Sequence, residues 1–403
     1  MYRADVFTVD AMRPDCPTSS GEHGGDDTSG LRTVVSGDRR GALWPRVTRL
    51  ESVLSATGRE NANSGPLSGG GQHASGAGRS DGGTVRSDGR GEPPCGPRFD
   101  TPVAHGGYAW WYVDALSEDG QYGLTLIAFI GSVFSPYYAW ARKRGSGDPM
   151  HHCAVNVALY GKRGSRWAMT ERGRSAVTRT PSSLCIGRSS MTWEGDTLTV
   201  SLDEMTAPWP SRVRGTVTLH TESLAKHVVA LDGVGHHRWQ PIAPCAQVEV
   251  ALSHPQLRWS GPGYFDTNSG DAPLEDTFAN WQWSRTSRAD GTSILYDVCR
   301  RDGERLTLAY HCEGSGDVNA FAPPRAVPLP PTRWRVKRTT HSDDGHDAKV
   351  LQTLEDAPFY ARSLIASRLQ SQPAIAIHES LSLDRFRAGW VRMLLPFRMP
   401  RRG

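Results

Sequence analysis

No CxxC pair occurs among the seven cysteines of this 403-residue sequence, which stand at 16, 95, 153, 185, 245, 299 and 312. That spacing fits neither a zinc ribbon nor an iron–sulfur ligand set, and an odd count does not close a disulfide framework. Reduced, mostly buried thiols are the expectation. Phosphate-cradling GxxxxGK[ST] and GxGxxG loops are missing too, which argues against a nucleotide cofactor. No nucleophile elbow is offered to Ser/His/Asp catalysis. Charge of one sign is not in excess: 46 basic residues meet 42 acidic ones, a net +4, which excludes a dedicated nucleic-acid binder. The longest apolar run, Leu124–Phe134, is broken by Thr125, Gly131 and Ser132, well short of the ~18 residues of a membrane-spanning helix. The first 16 residues carry Asp5 and Asp10 and lack the apolar stretch of a secretory signal. A soluble or peripheral protein on the cytoplasmic side is expected.

What is abundant is glycine and proline, 43 and 27 residues against an apolar fraction of 37%, a composition unsuited to a helical protein. Eighteen of the glycines fall in residues 1–100, and between Glu51 and Asp100 the only aromatic is Phe99. Such a segment buries too little apolar surface to offset its ordering entropy. Residues 1–100 are therefore expected to be disordered, with one possible short helix over Pro45–Leu54. Beyond Pro102 the texture changes, and twelve of the 13 tryptophans lie there. Short runs such as DTLTVSLDE and RGTVTLHT alternate apolar and polar residues and end in Gly, Asp or Pro, the signature of strands. Asp302-Gly303 and Glu194-Gly195-Asp196 stand where hairpin turns belong. Strands recurring over ~300 residues predict an all-β chain of two barrels or sandwiches. Helix signals are few, the best being Asp384–Leu395.

Two segments combine titratable groups with aromatics between glycines: GVGHHRWQ (233–240) and GPGYFDTN (261–268). Gly-flanked bends at strand ends are where barrel mouths collect functional groups. A carboxyl at Asp266, among Tyr264, Phe265, Trp259 and Trp239, would be desolvated and its pKa raised, so that it acts as an acid. Asp266-Thr267-Asn268 equally reads as a turn cap, and His237 as a structural hydrogen-bond partner. The adjacent pair His151-His152 beside Cys153 would face opposite ways on a strand, which does not favour a metal. Glu355 and Asp356 in TLEDAPFYAR offer further carboxylates, or a cap or salt bridge. Between Arg385 and Arg402 lie six arginines and no acid, interleaved with Phe386, Trp390, Met393, Leu394 and Phe397. Such an end suits an anionic membrane surface, or a last element packed on the barrel with its arginines in water.

The strings GGYAWWYVDAL, GSVFSPYYAWAR, HHCAVNVALYG, RWAMTERG, HRWQPIAP, GPGYFDTNSG, TLEDAPFYARS, HESLSLDRF and MLLPFRMPR together go beyond pattern. They resemble the acyclic carotenoid 1,2-hydratases, or hydroxyneurosporene synthases, of photosynthetic bacteria, from about Gly106 to Arg401. Residues 1–100 show no such likeness. The resemblance implies two tandem lipocalin-like β-barrel domains, 101–260 and 261–403, the second carrying the basic C-terminal segment. It implies a hydro-lyase with no cofactor and no metal that adds water to the terminal C1=C2 bond of neurosporene or lycopene, on the route to spheroidene or spirilloxanthin. The family's H-x-W and G-Y-x-D motifs fall on His237, Trp239, Tyr264 and Asp266. Asp266 would give the proton, Trp239 and Tyr264 would face the resulting tertiary cation, and His237 would hold Asp266 or the attacking water. Peripheral membrane contact would bring the carotene. A non-catalytic carotenoid- or lipid-binding carrier of the same fold is the alternative.

Overall fold

Alternating runs closed by turn residues pair most simply with their sequence neighbours, and the computed structural model, which describes residues 96–161 and 164–402, is built that way. Most of the segment 1–100, with the expected helix Pro45–Leu54, lies outside the described residues. Strands β1 (Tyr108–Leu116), β2 (Tyr122–Ile130), β3 (Cys153–Gly161) and β4 (Arg166–Arg172) follow one another antiparallel. Next come β5 (Val177–Arg179), β6 (Ser183–Ile186), β7 (Ser189–Glu194), β8 (Thr197–Met205) and β9 (Arg212–Thr221). The short β10 (Val229–Ala230) pairs with the long β11 (His237–His254), which pairs with β12 (Leu257–Gly270). Because β12 returns to β1, these strands make one sheet, with β5 at one edge and, at the other, a parallel β22 (Arg401–Arg402) beside β4. The sheet curls until β4 meets β8, where Arg172 donates to Glu204 at 2.8 Å.

A second antiparallel sheet holds β13 (Phe278–Arg288), β14 (Gly291–Arg300), β15 (Arg305–Cys312) and β16 (Val318–Ala320) on one side, and β19 (Lys349–Asp356), β20 (Tyr360–Leu369) and β21 (Gln372–Ser382) on the other. The proline-rich stretch supplies β17 (Arg325–Leu329), confined to a two-stranded pairing with β18 (Arg338–Ser342), as a strand containing Pro must be. Helices α1 (Pro136–Lys143), α2 (Leu274–Thr277), α3 (Leu383–Arg387) and α4 (Gly389–Arg398) are short. The expected Asp384–Leu395 helix is thus two helices, divided at Ala388, whose backbone is extended. The all-β class read from the sequence is the class that forms, and both expected hairpin turns join strands.

Strand β1 is buried on both faces, and the two faces enter different cores. Trp111 and Val113 join Leu124, Val155, Leu198 and Phe265 inside the curl of the first sheet. Trp110 and Tyr112 point the other way and pack with Tyr264, Trp281, Trp283 and Tyr296, where the second sheet closes over the first. A strand buried on both sides shows no period-two alternation, which is why this run reads as continuously apolar. Among the cysteines, Cys153 and Cys312 are free and buried and Cys245 and Cys299 free and half-buried, but Cys185 is disulfide-bonded, contrary to the reduced-thiol expectation.

Candidate active site

Period two places Tyr264, Asp266 and Asn268 on one face of β12, the face turned toward the second sheet. Asp266 lies opposite Tyr112 of β1 and Pro241 of β11, and Asn268 opposite Trp110 and Trp239. Gly261 and Gly263 are therefore not bends at a strand end; they lie within β12, and with Gly270 at its last position they let neighbours approach. A Cβ on Gly263 would meet Val248 Cγ2 at 2.2 Å, and one on Gly270 would meet Tyr108 Cε1 at 2.7 Å.

Asp266 is buried. Its Oδ2 accepts two hydrogen bonds, from Trp239 Nε1 at 2.8 Å and from the Tyr264 hydroxyl at 2.8 Å, while its Oδ1 has no protein partner. Burial pushes this carboxyl up to about 8, against the pull of those two donors, with the nearby charges of Glu379 and Asp114 adding to the rise. The group is therefore an uncharged acid at neutral pH. With both donors on Oδ2, the proton belongs on Oδ1. Burial also raises the Tyr264 phenol well above its usual range, so it remains a donor.

A cavity of about 410 Å³ opens between the two sheets, with Asp266 and Asn268 in its wall, a size usual for small-molecule sites. Its inner end is aromatic: Trp110, Tyr112, Trp281, Trp283 and Tyr296 surround the carboxyl, with ring centroids 5.6 Å apart for Tyr112–Trp283 and 6.1 Å for Trp281–Tyr296. Asn268 presents a buried Nδ2 with no partner. Glu355, Asp356 and Glu379 line the same space. Glu355 accepts from the Tyr160 hydroxyl at 3.2 Å, and burial raises both Glu355 and Glu379.

Of the four motif residues, three meet and one stands apart. Trp239 and Tyr264 are behind Asp266, bonded to it, and do not line the cavity; other rings, the five named above among them, face the space. His237 is buried, with Nδ1 bonded to the Tyr108 hydroxyl and Nε2 to Thr277 Oγ1, both at 2.9 Å, and no bond to Asp266. Burial pushes it down to about 4, so the ring is neutral. It opens β11 two residues before Trp239 and anchors that strand. His152 is bonded to Glu171 at 2.9 Å and stacked on Tyr138.

Sequence reasoning missed Asn268, although its i+2 spacing from Asp266 on a strand was available. It also missed a buried ion cluster beside the cavity. Asp114 accepts from Arg362 Nη2 at 2.8 Å and from Arg285 Nε; Glu379 accepts from Arg362 Nη1; the Tyr112 hydroxyl lies 3.0 Å from Asp114 and 2.9 Å from Glu379.

Comparison with known proteins follows the same lines. Residues 126–403 match the family model described as carotenoid hydratase CrtC. The acyclic carotenoid 1,2-hydratase of Thiocapsa roseopersicina is 50% identical over 404 aligned residues, covering all of both chains. That of Rubrivivax gelatinosus is 48% identical, covering 99% of this chain and 98% of its own. These alignments run through residues 1–100 as well, so the N-terminal segment has counterparts that its composition did not reveal. Among solved structures, a putative AttH from Nitrosomonas europaea superposes with a TM-score of 0.49 at 15% identity, over 72% of this chain and 98% of its own. The chain is an enzyme of the carotenoid hydratase family.

Proposed function

We propose that the protein adds water across the terminal C1=C2 double bond of acyclic carotenes such as neurosporene and lycopene, with Asp266 as the acid. An isolated alkene is a very weak base, so its protonation needs a carboxyl kept un-ionised in a dry site. The observation that carries the reading is the unpartnered Oδ1 of Asp266 in the wall of an aromatic cavity. One end of a rod-shaped polyene enters between the sheets. The alkene electrons form the new C2–H bond with the Oδ1 proton, leaving a tertiary cation at C1 and a carboxylate on Asp266. Trp239 and Tyr264 then stabilise that carboxylate, because both already donate to Oδ2. The faces of Trp281, Trp283 and Tyr112 are available to the cation, worth ~1–2 kcal/mol each when desolvated. A water held by Asn268 Nδ2 attacks C1 through an oxygen lone pair and returns one proton to Asp266 Oδ1, restoring the acid.

The test offers lycopene and neurosporene together in heavy water. Wild-type protein is expected to yield products heavier by one water and carrying one deuterium at C2. Asp266→Asn should give neither product nor deuterium in recovered carotene, because it lacks the proton. Asn268→Leu should give little product but leave deuterium in recovered carotene, since the cation forms and regenerates the alkene by breaking the original C2–H bond, its proton passing to the Asp266 carboxylate. Full hydration by Asp266→Asn would end the assignment, and unchanged wild-type carotene with a shifted absorption would point instead to a carrier.

A further inference from the structure

A short helix on a protein surface normally buries its apolar side chains and turns its charges outward. α4 does the reverse along much of its length. Met393 and Phe397 are 71% and 70% exposed, Trp390 47% and Leu394 45%. Arg392, in the same helix, is 6% exposed and buried against α2 and α3, donating to Glu275 at 3.0 Å and to the Phe386 carbonyl at 3.2 Å. Trp334, from the loop before β18, extends the patch: it is 43% exposed and stacks on Trp390 with centroids 6.1 Å apart. Trp334, Leu394 and Phe397 also line the cavity that holds Asp266. The apolar patch is therefore the rim of the mouth.

Cations outnumber acids around this rim, where the acid beside Trp334 is Asp356, accepting from the Arg333 N–H at 2.8 Å. Trp334 is flanked by exposed Arg333, Arg335 and Lys337, and exposed Arg387 and Arg402 bracket α4, with no acid between Arg385 and Arg402. No described helix is long and apolar enough to cross a membrane, and α4 with its ten residues and Pro396 is half the ~20 needed. Such a helix lies in the interface plane, its apolar face among the acyl chains and its cations at the headgroups. A second copy of the chain is disfavoured as the occupant, because a twofold contact would set this cationic rim against itself.

We infer that the α4–Trp334 rim docks on an anionic lipid surface, so that the mouth of the cavity opens directly into the apolar layer where a polyene dissolves. Loading then needs no passage through water. This goes beyond the hydration chemistry and is read without turnover, so either can fail alone. The experiment is flotation of the full chain with vesicles of phosphatidylcholine, alone or mixed with phosphatidylglycerol. Flotation is expected with the mixed vesicles and to weaken with salt. Arg335→Gln with Lys337→Gln should weaken it roughly 25-fold, at about fivefold per charge. Met393→Glu, at an exposed position outside the cavity wall, should weaken it at least tenfold while leaving circular dichroism unchanged. Absence of wild-type flotation, or variants that float as well as wild type, would overturn the inference. So would a wild-type dimer that Met393→Glu splits without any vesicle binding.

Discussion

At Asp266 two opposing effects act on one carboxyl. Burial lifts it to about 8, while the Trp239 N–H and the Tyr264 O–H pull it down. The balance leaves a group that is protonated at neutral pH yet not so weak an acid that alkene protonation fails. Activity needs the proton on, so hydration is expected to be flat in mildly acidic buffer and to fall as pH rises through about 8. Trp239→Phe keeps the ring and removes the donor. The carboxylate loses a charge-assisted hydrogen bond, the pKa rises further, and the falling limb moves to higher pH. The acid also weakens, with a loss of ~10–100-fold in kcat. Tyr264→Phe should behave the same way. A pH–rate profile checks both: a kcat loss with no movement of the limb would make the two residues packing groups. His237 was legible in the sequence both as a candidate site residue and as a structural hydrogen-bond partner, but its partners were not, since nothing in a linear string says that its two nitrogens are taken by Tyr108 and Thr277.

Individual strands carry a different lesson. The hairpin turns and alternating runs were legible because they are local, and so was the all-β class. The run Tyr108–Leu116 was legible as a strand but not as one shared by two cores, because nothing local says which core each face enters. GPG was misread because a glycine that admits a close neighbour looks like a glycine that turns. The ion cluster was invisible for a plainer reason: Asp114 stands 171 positions from Arg285 and 248 from Arg362. These charges tie β1 of the first sheet to β13, β20 and β21 of the second. Removing one buried partner is far costlier than the pair is stabilising. Arg362→Met, which strands Glu379, is therefore expected to lose ~3–5 kcal/mol and to lower Tm by about 10 °C. Adding Glu379→Gln to that variant should recover part of the loss, because the orphaned charge is gone. Thermal unfolding followed by circular dichroism measures both; an Arg362→Met protein as stable as wild type would make the cluster dispensable.

For the whole molecule, what matters is that the cavity belongs to neither sheet. Asp266 and its donors come from β11 and β12, whereas Trp281, Trp283, Tyr296 and Glu379 come from the second sheet. A barrel mouth within one domain was the expectation; a seam between two sheets is what the chain builds. The apolar cluster containing Tyr112, Tyr264 and Trp283 crosses that seam, and the ion cluster crosses it beside the cavity. Separately folding domains share small, polar interfaces, but here the shared surface carries a large buried aromatic cluster. The two sheets should therefore unfold together. Denaturant titrations read by tryptophan fluorescence and by far-ultraviolet circular dichroism are expected to coincide in one transition, and Arg362→Met should shift that transition without splitting it. Two separated midpoints would show that each sheet stands alone. The seam would then open at lower denaturant than the sheets, and a carotene held between them would be released before either half unfolds.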